Sequence, residues 1–143
     1  MISGSCLCGD VAFEIDESGI VTSNNCSCAN CRKVSGAGHG TFLQLKPSCF
    51  RWTSDPSKVA TYESSPGNHR AFCPRCGSRA PQHGRLPVVG VPAGALDSDP
   101  GVRPEVAFYA ASDAPWCVAE VTGKAYAQAP PPEFLDEFMS RLR

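Results

Sequence analysis

The sequence predicts a mainly β fold, built from small sheets of short strands, stapled by metal and carrying a short helix near its C-terminal end. Three observations predict it. Gly and Pro contribute 13 residues each, which favours short strands and frequent turns over long helices. Leu, Ile, Val and Phe together number 28 of 143 residues, about the fraction below which chains tend to stay disordered. The aliphatic core is therefore thin, and nine cysteines are more than packing needs. Something besides apolar burial has to hold the chain together. The length suits one domain, residues 1–143.

The elements follow in order. Val11, Phe13 and Ile15 alternate with Asp10, Ala12 and Glu14, a period of two that puts three apolar side chains on one face of a strand. Residues 41–45, 50–53, 59–63 and 69–72 are short runs rich in β-branched or aromatic side chains, each bounded by Gly, Pro, Ser or Asp. Residues 88–91, 105–110 and 116–122 continue the strand pattern, broken at 92–94, 98–101 and 113–115. Residues 28–35 predict a short helical turn ended by Gly36. Residues 130–143 predict a terminal helix, because Phe134, Phe138 and Leu142 recur four apart behind a proline run suited to a helix start.

The net charge of -1 lacks the basic excess of nucleic-acid binders, and no run has the apolar length of a membrane span. The expectation is neither a nucleic-acid nor a membrane partner. An odd cysteine count cannot be fully paired, and the first residues show no basic stretch or apolar run typical of a secretion signal. A reducing, cytoplasmic setting is expected, where clustered thiols point to metal before disulfides.

Seven of the nine cysteines fall in three groups: Cys6 and Cys8; Cys26, Cys28 and Cys31; Cys73 and Cys76. A Cys-x-x-Cys turn followed by Gly, as at 73–77, lets two sulfurs converge while backbone N–H groups point at them. With Cys6 and Cys8 it makes a closed four-cysteine zinc site that ties the N-terminal segment to mid-chain. The triplet offers three sulfurs within six residues, the ligand count of a zinc with one open position. Cys49, His39, His69 or His83 could also complete it. Residues 28–31 and 73–76 both satisfy the dithiol redox pattern as well, yet that motif belongs at the start of a helix in a βαβ unit, and Gly77-Ser78-Arg79-Ala80-Pro81 makes a poor helix.

Gly4-Ser5-Cys6-Leu7-Cys8-Gly9-Asp10-Val11-Ala12-Phe13, then Cys26-x-Cys28-x-x-Cys31-Arg32, then Phe72-Cys73-Pro74-Arg75-Cys76-Gly77-Ser78 resemble, in this order, the glutathione-dependent formaldehyde-activating enzymes. That family includes the domain of centromere protein V. Arg51-Trp52, Ser64-Ser65-Pro66-Gly67, Ala93-Gly94-Ala95-Leu96-Asp97 and Pro115-Trp116 extend the likeness over residues 4–116. The resemblance implies a β-tent of small antiparallel sheets, with a structural zinc on Cys6, Cys8, Cys73 and Cys76. It implies a second, catalytic zinc on Cys26, Cys28 and Cys31. The chain departs from the family in two places: Ser27 stands where many relatives have His, and Arg79-Ala80-Pro81 replaces an apolar continuation.

Three thiolates leave a zinc site of net charge about -1, a weaker Lewis acid than one held by neutral imidazoles. Hydrolysis is thus a poorer expectation than carbon–sulfur chemistry, in which a soft site accepts a small-molecule thiol and keeps it ionised for reversible addition to an aldehyde. A glutathione-like thiol brings carboxylates, for which Arg32, Lys33, Arg51, Arg70 and Arg79 are candidate partners. His39, flanked by Gly38 and Gly40, is a candidate acid or base. Trp52 and Trp116 are expected to be core aromatics, and Cys49 and Cys117 small buried hydrophobes. The alternative is a non-catalytic zinc module serving as a structural or interaction domain.

Overall fold

The computed structural model describes all residues, Met1–Arg143. The chain forms two compact units, the first comprising Met1–Ile20 and Leu43–Gly101, the second Val21–Phe42 and Val102–Arg143. As expected, the elements are mainly short strands with one short C-terminal helix. No helix is long and apolar enough to cross a membrane.

In the first unit, β1 (Ile2–Ser5), β2 (Ala12–Ile15) and β5 (Phe50–Trp52) form a three-stranded antiparallel sheet in the order β1-β2-β5. The register opposes Ile2 to Ile15 and Phe13 to Trp52. The alternation read in the sequence is the reason: Val11, Phe13 and Ile15 are all buried. Phe50 and Trp52 gather around Phe13 with ring centroids 5.8 and 6.3 Å away. An antiparallel hairpin, β6 (Ala60–Ser65) with β7 (Asn68–Phe72), and the short pair β8 (Gln82–His83) with β9 (Val89–Pro92) complete the unit's paired strands. Cys6, Val11, Ala71, Cys73 and Ala80 form one buried cluster against Trp52, Val59 and Cys76. The cysteine side chains are therefore part of the core they help to close.

In the second unit, β10 (Val106–Phe108) runs parallel to both β3 (Ile20–Cys26) and β11 (Lys124–Ala125). This parallel pairing stands beside the small antiparallel sheets that were expected. β3 is the longest strand, yet its sequence carries no apolar alternation, because Thr22, Ser23, Asn24 and Asn25 are all buried polar residues. Such groups are tolerated inside only when hydrogen-bonded. The Thr22 hydroxyl donates to Glu105, the Asn25 amide donates to the Glu120 carbonyl at 3.1 Å, and the Thr41 hydroxyl donates to Asn25 Oδ1 at 2.6 Å. β4 (Gly40–Leu45) passes from the second unit into the first, where Leu43 and Leu45 are buried.

Two helices belong to the second unit. α1 (Ala29–Ser35) is the short helical turn expected at 28–35, closed by Gly36 in the left-handed region. α2 (Pro132–Arg141) starts at the proline run and buries Phe138. Phe134 and Phe138 stack 6.0 Å apart, and Phe134 meets Phe108 edge-on at 5.2 Å. The four-residue spacing thus produces an aromatic face that packs against β10.

One expected strand is absent. Residues 116–122 form no strand: Pro115 and Trp116 lie in a turn closed by the Cys117 N–H on the Ala114 carbonyl at 2.9 Å. Trp116 is 74% exposed, so the expectation of a core aromatic fails there, whereas Trp52 packs as expected. The proline fixes the backbone in a turn that leaves Trp116 and Val118 at the surface. Cys49 and Cys117 are half-buried and not fully enclosed.

Candidate metal centres

Two groups of cysteines could hold a metal ion, Cys6 with Cys8, Cys73 and Cys76, and Cys26 with Cys28 and Cys31. In each group the sulfurs lie within 4.8 Å of one another. The first lies wholly in the first unit and the second wholly in the second unit.

Cys6 and Cys8 occupy the turn between β1 and β2. The Cys6 N–H donates to the Val11 carbonyl at 2.9 Å and the Gly9 N–H to the Cys6 carbonyl at 3.1 Å. Cys73 and Cys76 sit in the turn after β7, where the Gly77 N–H donates to the Cys73 carbonyl at 2.8 Å and the Cys73 N–H to the Ser78 carbonyl at 2.9 Å. Gly9 (φ 85°) and Gly77 (φ 79°) close these turns in the left-handed region, which a side chain rarely adopts. The glycine after each pair is thus what lets two sulfurs face the same point. Backbone N–H groups are aimed at the sulfurs as well: that of Val11 lies 3.3 Å from Cys6 Sγ.

The sulfur spacing fits zinc. A Zn–S bond of about 2.3 Å places the corners of a tetrahedron about 3.8 Å apart. Cys6 and Cys8 are 3.6 Å apart, Cys8 and Cys73 3.8 Å, far beyond the roughly 2 Å of a disulfide. The crowding itself calls for a cation. The Ser78 hydroxyl and backbone N–H hold Cys76 down at about 5. The Asp10 N–H draws Cys8 downward as well, but burial and the sulfurs of Cys6, Cys73 and Cys76 push it up to about 12. Ser78 was not among the residues expected to matter. It also accepts the Leu7 N–H at 3.0 Å, so it links the two hooks directly.

The triplet is assembled by one strand end and one helix start. Cys26 closes β3, Cys28 caps α1 by accepting the Cys31 N–H at 3.3 Å, and Cys31 lies one turn in, buried. Cys28 and Cys31, then burial, push the Cys26 thiol well above its ordinary value. No histidine nitrogen and no eighth cysteine joins the three sulfurs within that radius. The set therefore matches the donor number of a three-coordinate zinc site with one position for an exogenous ligand.

The other expected residues divide. His69 faces Glu63 at 3.5 Å on the β6–β7 hairpin, and His83 lies exposed on β8. His39 is half-buried, and its Nδ1 is enclosed without a hydrogen-bond partner. Among the basic candidates, Arg51 pairs with Glu14, Arg70 donates to Ser64 at 2.9 Å and Arg79 to Gln82 at 2.9 Å, while Lys33 is exposed. Arg32 donates through Nε to the carbonyl of Ser27, the residue between Cys26 and Cys28, at 3.2 Å.

Cys49 and Cys117 stand apart from both groups, each packed beside a glycine: a Cβ at Gly19 would sit 2.4 Å from Cys49 Sγ, and one at Gly38 3.0 Å from Cys117 Sγ. Double replacement of Cys49 and Cys117 by Ala should therefore keep the full zinc complement, as measured by plasma emission. Loss of one equivalent would make one of them a ligand.

Among solved structures, a Rhodobacter sphaeroides protein is similar in fold, with a TM-score of 0.57 and 21% identity over 87% of this chain and 99% of that one. Among curated proteins none matches. The profile of the glutathione-dependent formaldehyde-activating enzymes matches residues 1–112, a span that takes in all seven clustered cysteines. With that match over most of its length, the chain belongs to the glutathione-dependent formaldehyde-activating enzyme family.

Proposed function

We propose that the chain, acting as one domain, is a zinc-dependent carbon–sulfur lyase that makes and breaks adducts between a small, glutathione-like thiol and a small aldehyde. Cys6, Cys8, Cys73 and Cys76 hold a structural zinc, and Cys26, Cys28 and Cys31 hold the catalytic one. The observation that carries the reading is the unequal donor count, four converging sulfurs in one group and three in the other. Two purely structural sites would use eight protein ligands. Family membership supports it.

Zinc at the triplet supplies a soft Lewis acid that keeps a thiol ionised at neutral pH. In the forward direction the thiol sulfur adds to the carbonyl carbon, the thiol proton ends on the former carbonyl oxygen, and the reverse step returns both. The chain's part is to fix three thiolates on one strand end and one helix start, with no fourth protein ligand among them. Arg32, held beside the triplet by the Ser27 carbonyl, is the candidate partner for a substrate carboxylate.

Because the uncatalysed addition of glutathione to formaldehyde is already fast, the deciding quantity is the exchange rate near equilibrium. Magnetisation-transfer NMR measures it, and the zinc-loaded protein should accelerate exchange. No acceleration across a panel of cellular thiols and aldehydes would defeat the proposal.

A further inference from the structure

We infer that Asp113 is a positioning residue for the three-cysteine site, acting through Ser27; the inference rests on the reading that the triplet holds zinc. Ser27 lies between Cys26 and Cys28 in the sequence and is fully buried. All of its polar groups are engaged by the protein. Its N–H donates to the Phe108 carbonyl at 3.2 Å, its carbonyl accepts Arg32 Nε at 3.2 Å, and its hydroxyl donates to Asp113 Oδ1. The last contact spans 86 residues of sequence.

Two of these three partners come from one short segment, and that segment is itself held firmly. β10 ends at Phe108, and the chain then turns at Tyr109, the only non-glycine residue with a positive φ (56°). That conformation is costly to a side chain and persists only where the surroundings impose it. Here they do: the N–H groups of Tyr109, Ala110 and Ala111 donate to the carbonyls of Gln128, Tyr126 and Ala127 at 3.0, 2.9 and 3.2 Å. A 3-10 turn over Ala110–Ser112 follows, and the Asp113 N–H closes on the Ala110 carbonyl at 3.1 Å. Asp113 thus projects from a fixed platform onto the loop that carries Cys26 and Cys28.

A metal site of flexible ligands binds weakly, because the loop must be ordered when the ion arrives, and outer hydrogen bonds that order it beforehand raise affinity. A hydroxyl bound to a carboxylate is among the stronger such bonds. Asp113 touches no sulfur; it sets where Cys26 and Cys28 stand.

The test uses the full-length chain, with zinc itself as the probe. Zinc affinity at each equivalent is measured by competition with a chromophoric chelator, and the cobalt(II)-loaded protein reports ligand geometry through its absorption bands. Ser27→Ala and Asp113→Ala should each weaken the second equivalent about 10- to 100-fold, shift the cobalt bands of the triplet and leave the four-cysteine equivalent unchanged. The double variant should be no weaker than either single one. Asp113→Asn, whose amide oxygen can still accept the Ser27 hydroxyl, should stay within a few-fold of the parent protein and retain its cobalt bands. Wild-type affinity and bands in both Ala variants would overturn the inference, as would equal weakening of both equivalents, which is general destabilisation. If Asp113→Ala does not fold, Ser27→Ala and Asp113→Asn decide by the same readouts. Selective weakening in a protein that accelerates no exchange would support this inference while defeating the proposed function.

Discussion

Cys73→Ser should leave a chain that does not fold, while Cys28→Ser should fold and lose one equivalent of zinc. The difference follows from what each group ties together. Cys8 and Cys73 are 65 residues apart in sequence, so their site fastens the β1–β2 turn to the turn after β7. The aliphatic core around it is small: the cluster consists of Cys6, Val11, Ala71, Cys73 and Ala80, and two of the five belong to the four-sulfur group. A structural zinc contributes about 10–16 kcal/mol to small metal-dependent domains, as much as the entire net stability of about 5–15 kcal/mol that a domain possesses. The triplet instead spans six residues at the end of a strand already held by β10 and at the start of α1. Removing one sulfur there loosens a local loop. Far-UV circular dichroism and plasma emission under reducing conditions would show both outcomes. A Cys73→Ser protein with parental thermal stability would mean that the four-cysteine site is not the staple.

The second large effect concerns activity. Cys28→Ser should return thiol–aldehyde exchange to its rate in buffer while circular dichroism stays that of the parent protein. Cys28 is both a sulfur of the triplet and the cap of α1, and Ser is itself a good helix cap. The substitution therefore removes the soft ligand and keeps the local fold. A thiol needs bound zinc to stay ionised at neutral pH, and two remaining thiolates beside a neutral hydroxyl do not retain the ion. Residual acceleration near the parent value would place the chemistry elsewhere in the chain.

Much of this molecule could be read from its residues, and the failures share a cause. The strands at 11–15, 41–45, 50–53 and 69–72 were legible because apolar alternation and turn residues are local signals. The cysteine groups were legible for the same reason, since each hook is built by neighbours in sequence. β3 was not, because both its faces are buried and carry Thr22, Ser23, Asn24 and Asn25, and the partners Glu105 and Glu120 come from far along the chain. Trp116 was misread for a related reason: a large aromatic predicts burial on average, and only the turn at Pro115 decides otherwise. Asp113 carries no signal of its own; it matters because the β10 turn brings it to Ser27. What a single sequence hides is thus the long-range polar pairing, here the feature that sets the triplet's loop.

The most direct test of two unlike metal sites is cadmium-113 NMR of the cadmium-loaded chain, titrated with a small thiol. The account predicts two resonances, of which one, absent in Cys28→Ser, moves when thiol is added, while the other stays fixed. A single resonance, or two that both ignore the thiol, would contradict it.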